Sequence, residues 1–450
     1  MRKGQRMTIN KKLSFFFIIA LSFSFALKAE TLCTYNAPSG TGWLEKTSQG
    51  DLVLHLEGTW YDMGYEQGKL LTKEAIQTMN GVKSYAKDTV PFLPYKTVKN
   101  LLYKKAYLKS EPYVPEEFKQ ELQGLADAAG VSVKELEALH ALIYVASCSA
   151  TAAFGPATKD GNLYQTRSLD FILTFIDPET DTPMQNNSMI VVYKPKGGVP
   201  FVSFSWPGML GSVGGMNAKG ISVSEMSLPT KHESPAGLSM VWRIKQTLAK
   251  AETLDQAVNL MTQKPLEGGY NFVVGDGKIP SAVAMEMDAK NLYYGGVDGA
   301  AENNQYRKWG RLYKYESKPG LLTRTNHPLS KELIKDYQAP IDPENSKNSK
   351  GTSGARYRDL RSRDLKEYGS LDLVRVMEVM REHYESICGP DHQGCPGVLY
   401  QAAMAPKSGD FLISFAYGDP RKEGHYKVSP YSHPYHKYNL FDLLNEKPEK

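Results

Sequence analysis

Ser147-Cys148-Ser149-Ala150 and, a little further on, Arg167-Ser168-Leu169-Asp170-Phe171 are the stretch on which the fold turns. The stretch Ala152 to Arg167 reads as two β-strands around Asp160-Gly161, a dipeptide that favours tight hairpin turns. Such a hairpin carries Arg167 and Asp170 back beside Cys148. A cysteine flanked by two serines, just after the helix-like run Leu136 to Ala146, is well placed for a nucleophile. A thiol is mostly protonated at neutral pH and becomes nucleophilic when a base or a cation favours the thiolate. Arg167 cannot act as a base, but its fixed charge stabilises a thiolate and its fork can hold a carboxylate. Asp170 could hold an amine or that arginine. The competing reading is a buried structural cysteine with a surface Arg–Asp pair, because free cysteine is among the most buried residue types.

Further segments follow in order along the chain. They are Gly215-Met-Asn217-Ala-Lys-Gly220, Thr325-Asn326-His327 and Ser353-Gly-Ala-Arg356-Tyr357, with Leu56-Glu57-Gly58-Thr59-Trp60-Tyr61-Asp62-Met63-Gly64-Tyr65-Glu66-Gln67-Gly68 upstream. Taken singly, Asn217 reads as a hairpin-turn residue, Asn326 as a loop-capping residue and His327 as structural. Arg356 stands at the start of an apparent helix, where the dipole disfavours a cation, so a site role explains it better.

Together with the Cys148 hairpin, these segments resemble the cysteine N-terminal-nucleophile hydrolases of the peptidase C45 group, the acyl-coenzyme A:6-aminopenicillanate acyltransferase family. Penicillin V acylase and bile salt hydrolase are more distant relatives. The resemblance implies an α+β fold, a four-layer αββα sandwich preceded by a mainly helical pro-segment. It implies an autoproteolytic amidohydrolase or acyltransferase for a small-molecule linear amide, working without a cofactor. Cys148 would attack the Ser147 carbonyl, and the cut would leave Cys148 with a free α-amine as its own base. Asn217 and Asn326 would donate to the oxyanion, while Arg167, Asp170 and Arg356 would hold the amine and the thiolate. Two other readings remain: a phospholipase B-like ester hydrolase with the same nucleophile, and a non-catalytic exported binding protein of the same fold.

Composition bounds the rest. The chain of 450 residues is 41% hydrophobic and 23% charged, an ordinary globular balance, and its net charge of +5 with no basic runs excludes a nucleic-acid partner. Arg2, Lys3, Arg6, Lys11 and Lys12 precede the apolar run Phe15 to Leu27, too short to span a bilayer, which ends in Ala26-Leu-Lys-Ala29. This is the pattern of a secretory signal peptide over 1–29, and it predicts a secreted or periplasmic protein, lysosomal or extracellular in a eukaryote, with no stable membrane insertion once the signal is removed. In an exported protein Cys388 and Cys395, around a Gly- and Pro-containing loop, are expected to form a disulfide. A metal site of Cys388, His392 and Cys395 is the weaker rival, with only three ligands. Cys33 is left over.

Four segments follow: the signal over 1–29, a mainly helical pro-segment over 30–147, a catalytic domain over 148–420 and a tail over 421–450 rich in Tyr, His and Pro. The pro-segment is expected to stay associated with the catalytic domain. Ser132-x-x-Glu135 has the form of a capping box. Beyond Cys148 the texture turns to β-strands, including Ile221 to Met226 and Tyr270 to Val274, then to helices at Ser239 to Ala251 and Leu371 to Tyr384, then back to strands.

Overall fold

A computed structural model describes residues 29–141, 147–342, 349–389 and 397–449. The signal peptide, His392 and Cys395 lie outside them, and with Cys395 the expected disulfide. Among the described residues no helix is long and apolar enough to cross a membrane.

The hairpin forms as expected. Strands Ser147–Gly155 and Gly161–Asp170 pair antiparallel, with Ser147 opposite Asp170 and Cys148 opposite Leu169. Gly161 closes the turn at φ +77°, and the Asp160 carboxylate accepts from the Asn162 backbone N–H. This hairpin supplies the second and third strands of a six-stranded sheet that runs Leu321–Arg324, Ser147–Gly155, Gly161–Asp170, Val398–Ala405, Asp410–Phe415 and His436–Asn439.

The second sheet has ten strands and contains Leu52–Gly58, Met189–Pro195, Gly214–Asn217, Ile221–Ser227, Tyr270–Asp276 and Ser281–Met287. Its neighbours are antiparallel, except that Leu52–Gly58 runs parallel to Met189–Pro195. The two sheets lie face to face through Ile221–Ser227 and the Cys148 hairpin. A polar seam crosses between them: Gln165 Nε2 donates to Ser224 Oγ at 2.9 Å and to the Val273 carbonyl at 3.0 Å. Helices Met240–Lys250 and Leu254–Thr262 cover the outer face of the ten-stranded sheet, and Ser353–Lys366 and Leu373–Cys388 cover that of the six-stranded sheet. The four layers are therefore αββα, as expected.

The segment 30–147 is mainly helical from Trp60 onward, but it opens with the strands Glu30–Ala37, Gly40–Lys46 and Leu52–Gly58, which continue the ten-stranded sheet. Glu30–Ala37 is an edge strand whose residues alternate strictly between exposed and half-buried, and the exposed Leu32 beside the half-buried Thr31 blurs that alternation in the sequence. The tail after 420 joins the fold, since His436–Asn439 pairs with Asp410–Phe415. The capping box fails: the Ser132 side chain makes no capping bond, and Glu135 is taken by Lys83 at 2.6 Å.

The upstream motif has a packing reason. Thr59 caps helix Trp60–Leu70 by accepting from the Asp62 N–H, and this helix lies directly against Glu116–Ala129. A side chain at Gly64 would meet the Glu121 carbonyl, and one at Gly124 the Tyr61 carbonyl, each at about 2 Å. Only glycine permits so close a crossing.

Candidate active site

Cys148 sits at the start of its strand, fully buried. Burial pushes its thiol up to about 12, although the Arg167 charge and a hydrogen bond from the Asp170 backbone pull it down. Desolvation thus outweighs the cation in the uncut chain, and Arg167 does not by itself make a thiolate.

The main chain of Cys148 is held more firmly than its sulfur. Its N–H donates to Asn326 Oδ1 at 2.6 Å, and its carbonyl accepts from Arg356 Nη1 at 2.7 Å. Arg356 also donates from Nη1 to Ser149 Oγ at 2.8 Å and from Nη2 to Asn326 Oδ1 at 2.7 Å. Asn326 Nδ2 donates to the Ser227 carbonyl at 2.7 Å, which leaves its oxygen for Cys148. Toward the Cys148 nitrogen Asn326 thus presents its acceptor, and the donor an oxyanion would need, Nδ2, is here turned to Ser227. Asn271 Nδ2 donates to the carbonyls of Thr325 and His327, which holds the backbone on both sides of Asn326.

Asp170 is buried among donors. Tyr384 Oη donates to it at 2.5 Å, Ser168 Oγ at 2.7 Å, and Arg356 Nη1 lies 3.5 Å away. Burial raises its carboxyl to about 6 against these partners. Arg167 turns from the hairpin into the space between the sheets, where Nε donates to Tyr400 Oη at 3.0 Å and Nη2 to Glu225 Oε2 at 3.1 Å. Its Nη1 is buried without a partner, as is Glu225 Oε1. Burial lifts the Glu225 carboxyl to about 7 despite the guanidinium beside it.

Asn217 does not join this group. Its Nδ2 donates to the Leu248 and Ala251 carbonyls at the end of helix Met240–Lys250, and its Oδ1 accepts from the Lys219 and Ile221 N–H groups. With both donors and both lone pairs engaged it cannot serve an oxyanion, so the turn reading stands and the catalytic expectation is corrected. His327 is structural as expected, between Thr325 and Ser353, with burial lowering its imidazole to about 3.

Glu225, Tyr384 and Tyr400 were not anticipated. Only Glu225 carried a signal, as a lone acid inside the otherwise uncharged strand Ile221–Ser227. It also lines a small apolar cavity of about 50 Å³ with Leu169, Phe171, Phe175, Trp206 and Leu399. Leu169 is the residue opposite Cys148. Val82 and Leu139, which precede Cys148 in the chain, complete one wall. Among the described residues, the group able to share a metal ion is Glu45, His55 and Glu446, and none of these is a candidate catalytic residue.

Residues 176–354 match the family model described as acyl-coenzyme A:6-aminopenicillanic acid acyl-transferase, so the resemblance expected from the motifs holds over that stretch. An uncharacterized protein of Archaeoglobus fulgidus is 25% identical over 75% of this chain and 59% of its own length. Protein dcd1A of Dictyostelium discoideum is 27% identical over 46% of this chain and 52% of its own. The chain thus spans little more than half the length of these curated relatives. Among solved structures, the Caenorhabditis elegans ortholog of N-acylethanolamine-hydrolyzing acid amidase is similar with a TM-score of 0.37 and 14% identity, over 65% of this chain and 99% of that one.

Proposed function

We propose that this chain, with its match to that acyltransferase family, is an exported cysteine N-terminal-nucleophile amidohydrolase or acyltransferase that cuts itself before Cys148. The observation that carries the reading is the grip on the Cys148 main chain, with N–H on Asn326 at 2.6 Å and C=O on Arg356 at 2.7 Å. A nucleophile that used only its sulfur would not need its own backbone nitrogen positioned by a buried side chain. An N-terminal nucleophile does, because that nitrogen becomes its base.

The thiol first adds to the Ser147 carbonyl, and the Ser147–Cys148 C–N bond breaks as the nitrogen takes the thiol proton. Water then hydrolyses the thioester and leaves a carboxylate on Ser147 and a free amine on Cys148. An α-amine has an unperturbed pKa of about 7.7 to 8.0. It can therefore accept the thiol proton near neutral pH and return it to the leaving amine of a substrate. Asn326 and Arg356 would hold that amine over the sulfur. The unpartnered Arg167 Nη1 and Glu225 Oε1 offer a donor and an acceptor to a substrate amide, and the apolar lining beside them would favour an acyl group once the small cavity opens to admit it. Because Val82 and Leu139 help to wall the cavity, the segment before the cut would have to stay in place afterwards.

N-terminal sequencing of the purified protein tests this. A terminus at Cys148 in wild type and one uncut chain in Cys148→Ala are expected; an uncut wild type with no turnover would favour the binding-protein reading. A panel of acyl amides against the corresponding esters then separates the amidohydrolase from a lipid esterase.

A further inference from the structure

We propose that the stretch Tyr85–Lys109 is a docking surface for an anionic lipid membrane. Helix Thr72–Thr89 runs into the loop Val90-Pro91-Phe92-Leu93-Pro94, and Phe92 at its tip is 92% exposed, the largest exposure among the large apolar side chains. Leu93, Leu101 and Leu108 are exposed as well. In the helical run that follows, Leu101, Lys104, Lys105, Leu108 and Lys109 face solvent, while Val98 and Tyr107 are buried against the protein. Its outer face therefore alternates leucine with lysine. Lys87 and Lys96 are exposed on either side of the loop, and Asp88 is the single acid of the stretch.

A protein partner would meet a contiguous apolar core with few charges, because lysine is depleted at interface centres. A membrane interface suits the alternation: rings and leucines enter the acyl boundary while lysines stay at the level of anionic headgroups. The position also fits. Tyr85 packs edge-on against Phe175 with ring centroids 4.7 Å apart, and Phe175, Val82 and Thr78 all line the apolar cavity. The lipid-facing surface thus continues from the helix that walls the cavity. The proposal rests on exposure and charge and stands without any chemistry at Cys148.

The test is cosedimentation of the purified full-length protein with vesicles of phosphatidylcholine, alone or with roughly 30% phosphatidylserine. Binding should require the anionic lipid and fall in about 0.5 M salt, where charges are screened. The double variant Phe92→Asp, Leu101→Asp should lose at least roughly tenfold in apparent partition at an unchanged melting temperature. Equal sedimentation with and without vesicles overturns the proposal, as does wild-type binding by the double variant. A wild-type dimer that ignores vesicles and dissociates in that variant would assign the surface to a second copy instead, and so also overturns it.

Discussion

Arg356 Nη2 donates to Asn326 Oδ1 at 2.7 Å, and this bond decides which end of the Asn326 amide faces the nucleophile. With the Ser227 carbonyl accepting from Nδ2, the two ends cannot be exchanged without setting donor against donor and acceptor against acceptor. Asn326 thereby accepts from the Cys148 nitrogen, the group that must become the base.

Asn326→Asp keeps an acceptor for Cys148 and Arg356, whereas Asn326→Ala removes it. Turnover of protein confirmed as cut should be higher for Asp than for Ala, with Ala slower than wild type by roughly tenfold or more. A more active Ala variant would instead favour the oxyanion role for Asn326.

Arg356→Lys keeps the charge but loses the fork that spans Cys148, Ser149 and Asn326. Losing one charge-assisted bond, about 1.5 to 3 kcal/mol, predicts a fall in kcat of roughly 10- to 100-fold. Steady-state kinetics check this, with denaturant unfolding alongside to register the stability that the same buried bonds contribute.

Asn217→Ala should do the reverse. It strips partners from the buried end of helix Met240–Lys250 and should cost about 1 to 3 kcal/mol of stability. Denaturant unfolding should register that loss while kcat stays at the wild-type value; a selective loss of kcat would return Asn217 to the site.

Glu66 supplies a pH prediction. Burial raises its carboxyl from 4.5 to about 8, so the folded state retains a proton that the unfolded chain releases. The sign follows from linkage: its contribution is complete below pH 4.5 and declines as pH rises through the window to about 8, by at most about 1.4 kcal/mol per pH unit. Glu66→Gln stays neutral throughout, so its melting temperature relative to wild type should rise between pH 5 and pH 8. A constant difference would mean that Glu66 is already ionised in the fold.

Cys388 and Cys395 should appear as one linked peptide in non-reducing maps of exported protein. Closing so short a loop stabilises by about 2 to 3 kcal/mol on the chain-entropy model. Free thiols at both positions would reopen the metal reading.

Asp160-Gly161, the apolar runs beyond Cys148 and the helices covering both sheets were legible in the sequence, because turn chemistry and side-chain periodicity are local properties of adjacent residues. The same locality placed Cys148, Arg167 and Asp170 together, since one hairpin joins them. The edge strand Glu30–Ala37 was not legible, because its inward positions are only half-buried and so admit a polar residue such as Thr31. What only the tertiary structure decided is which atoms each polar side chain meets. Asn217 and Asn326 are both oxyanion candidates in sequence, yet a helix end takes up the first and Arg356 turns the second. Glu225 and Tyr384 reach the site from strands and helices far along the chain. A buried amide or carboxyl takes its role from partners that satisfy it, and those partners are adjacent only once the sheets have packed.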